Sequence, residues 1–358
     1  MTESRHAVVV GIGLIGGSIA LGLRKAGWRV TGVDRDREVL ATAAGSGVID
    51  DIADLEAVGG CDLAVVAIPV GDVVAVVQRL LDGGAAVVTD VGSVKGPVAA
   101  AIDDPRFVPG HPMAGSEQDG LEGASVDMFS GATWVLCPTP TTDDAAFAMV
   151  RDTVTRLGAH AIAIQPARHD SLVAVVSHVP HLAAATLMQI ADGRAVEHRA
   201  LLRLAAGGFR DMTRVAAGHP AIWPDICAEN AEAIVDVLDE LQVELARVRD
   251  TIAERDRAGL LERLESARVA RRNLPTTVSL PENMTEMRVP ILDRQGELAA
   301  IASLAADLDV NIYDLEIAHS TEGPRGVVLL IIETAMAERL QGGLMALGYR
   351  PSMQALEA

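Results

Sequence analysis

Apolar residues follow two rhythms along this chain, and the change between them falls near residue 165. Before that point, short and largely apolar runs (Ala7–Val10, Trp28–Val33, Asp62–Pro69, Ala86–Asp90, Thr133–Cys137 and Ala159–Ile164) alternate with segments whose apolar residues recur every three or four positions (Ser18–Lys25, Val73–Leu81 and Asp143–Leu157). Largely apolar runs of this length suit strands buried on both faces, and the longer period suits helices. Their alternation predicts an α/β Rossmann-type domain with a parallel sheet. After Gln165 the strands stop. Pro166–Ala191 reads as one long helical run, in which Pro180 is expected to kink the helix and free a carbonyl. Further on, Ile234, Leu238, Leu241, Leu245, Val248 and Ile252 step by four and three, a heptad seam suited both to a bundle core and to a subunit interface. Leu274–Pro281 carries two prolines and no helical period, so it reads as a linker. Beyond it come strand Arg288–Leu292, turn Asp293–Gly296, helix Glu297–Asp307, strand Ile312–His319, a turn at Gly323-Pro324, strand Val327–Glu333, helix Ala335–Leu347 and a last strand near Tyr349–Met353. That is a βαββαβ order, an α+β ferredoxin-like unit. The expected domains are therefore 1–165 (α/β), 166–275 (all-α) and 284–358 (α+β).

Composition narrows the classes of function. Hydrophobic residues make up 49% of the chain but aromatics only 3%, so the core must be packed with Val, Ala, Leu and Ile. The formal charge of −19 argues against a nucleic-acid partner and against docking on an anionic membrane. Cys61, Cys137 and Cys227 are far apart and form no metal-ligand spacing, which suits a reduced, cytoplasmic protein. Ala7–Leu23 is uncharged and superficially resembles a signal peptide. Glycines interrupt it, however, and Arg24, Lys25 and a strand follow where a cleavage site would stand. No other run was expected to approach the about 18 apolar residues of a membrane span, so a soluble protein is expected.

The chemistry gathers in a few short stretches. Gly11-Ile12-Gly13-Leu14-Ile15-Gly16 lies between a strand and a helix, and the next strand closes on Asp34. In that context it is a dinucleotide-binding turn: Gly11 makes the turn, Gly13 admits a pyrophosphate, Gly16 lets helix pack on strand, and the helix N-terminus faces the phosphates. Leu14, Ile15 and the strand-end residues Ile68 and Pro69 would border the same cofactor. Asp34 can take the ribose hydroxyls and favours NAD, whereas Arg35 and Arg37 are the features that would welcome NADP. Ser93 and Lys95, just after a strand, are expected in the same cleft, although Ser93 alone could be a helix cap. In His111-Pro112-Met113-Ala114-Gly115-Ser116-Glu117, proline stiffens the backbone around a presented imidazole, and Glu117 adds a carboxylate. Ser177-His178-Val179-Pro180-His181 puts two histidines three apart on one helix face; no third ligand has fitting spacing, so no metal is assigned. Gly207–Arg214, with Asp211 and Arg214, and Trp223-Pro224-Asp225 are dense in polar groups, and alone would read as an interhelix loop.

Together, and in this order, these stretches resemble the prephenate dehydrogenase family over residues 5 to 275, and 286 to 355 resembles an ACT domain. The resemblance implies oxidative decarboxylation of prephenate to 4-hydroxyphenylpyruvate with NAD as hydride acceptor, in a homodimer joined through its helical domain. It assigns His111 as proton acceptor, with Ser93 bonding the same hydroxyl and orienting the imidazole. It assigns Arg214 to a substrate carboxylate, and His178, His181 and Ser177 to the pocket. Glu117 and Asp211 would pair with the arginine. It implies L-tyrosine as effector at Asp293, Gly296, Asn311 and Ile312. Val179 stands where the family commonly has leucine. An arogenate or dual cyclohexadienyl dehydrogenase, and an amino-acid-sensing regulator without activity, are the other readings.

Overall fold

The computed structural model describes residues 5–115, 118, 120–195, 204–273, 284–292, 294, 296–319 and 325–355. Two units divide the chain, Met1–Asp250 and Thr251–Ala358. The first opens with β1 (His6–Val10), α1 (Leu14–Lys25), β2 (Arg29–Val33), α2 (Arg37–Gly45), β3 (Asp51–Ile52), β4 (Leu63–Val66), α3 (Val70–Asp82), β5 (Val88–Asp90), α4 (Gly96–Ala101) and β6 (Phe107–Val108). The strands form one parallel sheet in the order β3-β2-β1-β4-β5-β6. Its two-residue side-chain period explains the largely apolar runs. Ala7 and Val9 join a core with Ile19 and Leu23 on one face, while Val8 and Val10 join Val73, Val77 and Leu80 on the other. Each such Val, Ile or Leu side chain, fully buried, contributes about 1.5–3 kcal/mol. The strand order reverses between β1 and β4, which opens a crevice at the carboxyl ends of the strands.

A smaller sheet follows, built from β7 (Gly110–Pro112), β8 (Thr133–Leu136) and β9 (His160–Ala163), with α5 (Asp144–Arg156) before the last. This corrects the expectation that His111 sits in a loop. Its residue lies in β7, paired antiparallel with Val135 of β8, and the extended backbone that Pro112 demands of it is that of a strand.

The helical part comprises α6 (Pro166–Val173), α7 (Val179–Ala195), α8 (Gly207–Thr213), α9 (Trp223–Glu229) and α10 (Ala231–Ala253). Between α6 and α7 the run is unbroken: Ala174–His178 forms a π-helical turn, in which the Val179 N–H reaches back to the Ala174 carbonyl. The kink expected at Pro180 is thus taken up as a widened turn just before it, a common way of absorbing a proline's missing donor. Pro166–Arg194 is long and apolar enough by composition to cross a membrane, which the sequence reading did not expect of any run. Yet it carries buried His169, Asp170 and His178, hydrogen-bonded to neighbouring elements as in a core helix. The heptad seam is split. Ile234, Leu238 and Leu241 pack with Ala174 and Val179, whereas Leu245 and Ile252 are 58% and 57% exposed.

The second unit holds α11 (Arg257–Arg272), β10 (Met284–Leu292), α12 (Glu297–Asp307), β11 (Ile312–His319), β12 (Arg325–Glu333), α13 (Thr334–Ala346) and β13 (Ser352–Ala355). The strands pair antiparallel in the order β11-β12-β10-β13, the expected βαββαβ unit. Ile301, Ala305, Leu340 and Leu344 seal it against Met287, Val289, Val328 and Leu330. The expected linker and the turn at Gly323-Pro324 lie outside the described residues.

Candidate functional site

The glycine turn is built as its spacing requires. Gly11 has φ +89°, and a Cβ there would stand 2.2 Å from the Ala67 carbonyl oxygen and 2.9 Å from Ile68. A Cβ on Gly16 would lie 1.8 Å from the Gly11 carbonyl oxygen, so only glycine lets α1 pack this closely. Gly13, the residue capping α1, meets nothing within 4 Å: its face is open to the crevice. The first amides of α1, Leu14 and Ile15 among them, have no partner within the helix. At the end of β2, Asp34 accepts hydrogen bonds from the Ile12 N–H (2.7 Å) and the Asp36 N–H (2.9 Å), which fix its carboxylate beside the turn. Arg37 is occupied with Asp54 at 2.5 Å, and Arg35 is exposed. Pro69 caps α3, directly after the Ala67 and Ile68 that Gly11 abuts. An open cradle beneath a helix N-terminus, with a fixed carboxylate at its edge, fits NAD.

His111 belongs to the same end of the sheet. Gly11 abuts the loop after β4, Gly92 after β5 lies against Val70 of α3, and the Gly110 N–H donates to Asp90 Oδ1 at 3.3 Å. Asp90 is buried with Lys95, whose ammonium it pairs, and also accepts from the Gly92 N–H. Lys95 was expected in the cleft; it is instead fully buried, holding the turn around Ser93 from behind. Removing one partner of such a pair would cost about 3–5 kcal/mol.

The imidazole of His111 is buried, and its Nδ1 lies 2.9 Å from His169 Nε2. His169 Nδ1 in turn lies 2.7 Å from Asp170 Oδ1. The Asp170 carboxylate accepts from the Lys95 N–H (2.8 Å) and the Gly96 N–H (2.6 Å) at the start of α4. Burial first, then the charges that His169, Lys95 and His178 would carry, hold His111 well below the usual histidine range, which favours the neutral imidazole. His169 is the side chain that meets this imidazole at Nδ1; Ser93, to which the family resemblance gives an orienting task, is half-buried in the turn before α4.

Asn230, between α9 and α10, donates from Nδ2 to the Asp170 carbonyl (2.9 Å) and lies 3.1 Å from His178 Nδ1. His178 is buried with its pKa pushed down to about 4, chiefly by burial. Its Nε2 finds no partner among the described residues, an omission that costs about 1–3 kcal/mol until something accepts the bond. His178 meets Trp223 edge-on, and His181 stacks on the same indole at 3.6 Å. Both histidines thus face one aromatic wall. Ser177 is half-buried in the π-helical turn. Arg214 and Asp211 are exposed, at and just before the short turn that follows α8 and packs on α7; in that turn Gly218 lies 3.9 Å from His181 by its would-be Cβ. Glu117 lies outside the described residues, as does Asp293 in the second unit. Gly296 has φ +98° and caps α12, Asn311 is exposed beside β11, and Ile312 pairs with Ile332.

His169, Asp170 and Asn230 were not singled out from the sequence. The one available signal was a His-Asp doublet leading into an otherwise apolar helical run, nine residues before His178. A doublet of that kind on a helix usually faces water.

Residues 19–163 match the family described as prephenate dehydrogenase, nucleotide-binding domain, and residues 165–266 match prephenate dehydrogenase, dimerization domain. The chain is 32% identical to a prephenate dehydrogenase of Bacillus subtilis, over 93% of this chain and 94% of that protein. It is 34% identical to a cyclohexadienyl dehydrogenase of Zymomonas mobilis, over 77% of this chain and 98% of the relative. Among solved structures, it is similar to prephenate dehydrogenase from Aquifex aeolicus in complex with hydroxyphenyl propionate and NAD+. The TM-score there is 0.71 at 29% identity, covering 75% of this chain and 98% of that one.

Proposed function

The chain belongs to the prephenate dehydrogenase family and is an NAD-dependent dehydrogenase, and on that premise we propose that it oxidatively decarboxylates prephenate to 4-hydroxyphenylpyruvate, on the route to tyrosine. The observation that carries the reading is a buried imidazole at the edge of the dinucleotide crevice, held at Nδ1 by a histidine–aspartate pair. NAD, when bound, accepts the hydride from the ring carbon that bears the hydroxyl. His111 takes the hydroxyl proton as the ring carboxylate leaves as carbon dioxide and the ring becomes aromatic. Ser93 bonds the same hydroxyl. His178 donates to a substrate oxygen through its open Nε2, His181 and Ser177 line the pocket, and Arg214 grips a carboxylate with its two-pronged guanidinium. Asp211 and Glu117 pair with that arginine.

The homodimer is supported by the uncovered outer half of the α10 stripe. Residues 284–358 form an ACT-type regulatory domain for L-tyrosine, beside 1–165 for the dinucleotide and 166–275 for substrate and dimerisation. The left-handed Gly296 at the head of α12 is the support for the effector site; Asn311 and Ile312 lie at the other end of the sheet, since Ile312 pairs with Ile332 whereas Leu292 pairs with Arg325. The protein works in the cytoplasm. NADH formation measured with prephenate and arogenate side by side tests the substrate. Turnover of prephenate tens of times better than arogenate is expected. Equal rates make the enzyme a cyclohexadienyl dehydrogenase, and no NADH with either ends the reading.

A further inference from the structure

Hydrogen-bond chemistry fixes more about the buried histidines than their positions. A carboxylate only accepts, so His169 donates from Nδ1 to Asp170 Oδ1 across 2.7 Å. A neutral His169 then has a bare Nε2, and the group 2.9 Å away, His111 Nδ1, must carry the hydrogen. What is left on His111 is an unprotonated Nε2. Next to it the opposite holds. A backbone carbonyl also only accepts, so the Asn230 nitrogen that meets the Asp170 carbonyl at 2.9 Å is a donor. The same nitrogen reaches His178 Nδ1, which must therefore be bare, and the hydrogen of His178 sits on Nε2, the atom without a partner.

We infer that His169, Asp170 and Asn230 are positioning residues that lock His111 and His178 into opposite tautomers, one presenting a proton acceptor and the other a hydrogen-bond donor to the same substrate. The inference deepens the proposed function and rests on His111 being the base. Asp170 is itself fixed, since the first amides of α4 hold both of its oxygens and a Cβ on Gly96 would come within 2.7 Å of one. The groups facing His111 are His169 from α6, His178 from the π-helical turn and Lys95 before α4; Asp90 neutralises the last. When the hydroxyl proton arrives at His111 Nε2, the hydrogen on Nδ1 can pass to His169 Nε2. The positive charge then rests beside the Asp170 carboxylate and not on an imidazole whose burial disfavours it. No atom is gained or lost, and once the product has left, the relay runs in reverse and His111 Nε2 gives the proton up to solvent.

Asp170→Asn is the test, because an amide has one donor end: where that end takes the place of Oδ1 it donates to His169 Nδ1, reverses both tautomers in the chain and puts a hydrogen on His111 Nε2. Turnover should fall by about 10²–10⁴-fold, the size of losing a general base or of holding a catalytic histidine in the wrong tautomer, while KM for prephenate stays within a few-fold. In full-length protein carrying ¹⁵N-histidine, the His111 signals, assigned by their loss in His111→Asn, should show a protonated Nδ1 and a bare Nε2. His178 should show the reverse, and Asp170→Asn should invert the His111 pattern. A hydrogen on His111 Nε2 in the unaltered enzyme overturns the inference, as does an Asp170→Asn enzyme whose His111 pattern is inverted and whose turnover is undiminished. Should Asp170→Asn not fold, the spectrum of the unaltered protein decides alone. Full turnover by His111→Asn would remove His111 as the base and leave the tautomer assignment standing, so the two failures are distinguishable.

Discussion

Two of the buried histidines, His111 and His178, sit where water cannot solvate an imidazolium, and this ties the stability of the fold to pH as well as its chemistry. In the unfolded chain each titrates near ~6.5. Folded, His111 lies well below that value and His178 near about 4. Between the two values the unfolded chain binds protons that the folded one refuses. Their stabilisation is therefore complete above about pH 6.5 and is lost as pH falls toward 4, by about 1.4 kcal/mol per pH unit for each proton of difference. Urea midpoints taken from pH 7 to 5 should drop, and should drop less steeply in His178→Phe. A midpoint independent of pH would mean that these imidazoles are solvated. The same scale governs cofactor choice. The Asp34 carboxylate, fixed by two backbone amides, repels a 2′-phosphate. Asp34→Ser should raise kcat/KM with NADP at least ten-fold relative to NAD. An unaltered enzyme that uses both cofactors equally would contradict this.

At the scale of elements, α10 is the place where the single chain is visibly unfinished. Its inner residues are packed and its outer ones, Leu245 and Ile252, are not. Leu245→Asp with Ile252→Asp should leave the helix intact and shift sedimentation from dimer to monomer; an unchanged dimer would place the interface elsewhere. The seam was legible because a stripe repeats over many residues, and so were the strands of the parallel sheet, whose two-faced burial leaves largely apolar runs. What escaped is short or non-local. β3, β6 and β7 have two or three residues, too few to display a period. α2 is mostly exposed, so its apolar stripe is thin, although Asp36 caps it. The glycine turn was legible because backbone geometry demands that residue type, as at Gly11 with its φ of +89°. His169, Asp170 and Asn230 matter only through partners dozens of residues away, and no local spacing reports that.

For the whole molecule, the proposed regulation places the effector in a unit with its own core. The Gly296 backbone, at φ +98°, is strained for any residue with a branched side chain. Gly296→Val in the full chain should leave uninhibited turnover near normal and abolish inhibition by tyrosine. Inhibition that persists unchanged would mean that tyrosine competes at the active site. The π-helical turn at Ala174–His178 carries a consequence for how the chain can change length. Each residue added to or removed from an α-helix rotates everything beyond it by about 100°. The widened turn spends one extra residue, and thereby sets the rotational phase between His169–Asp170 on one side and His178–His181 on the other. Inserting one alanine after Val176, itself 65% exposed, adds a residue that the widened turn has no room to absorb; it should cost little helicity by circular dichroism yet swing the second pair off its wall and abolish turnover. Loops elsewhere can absorb insertions and deletions; along this stretch the number of residues is as constrained as their identity.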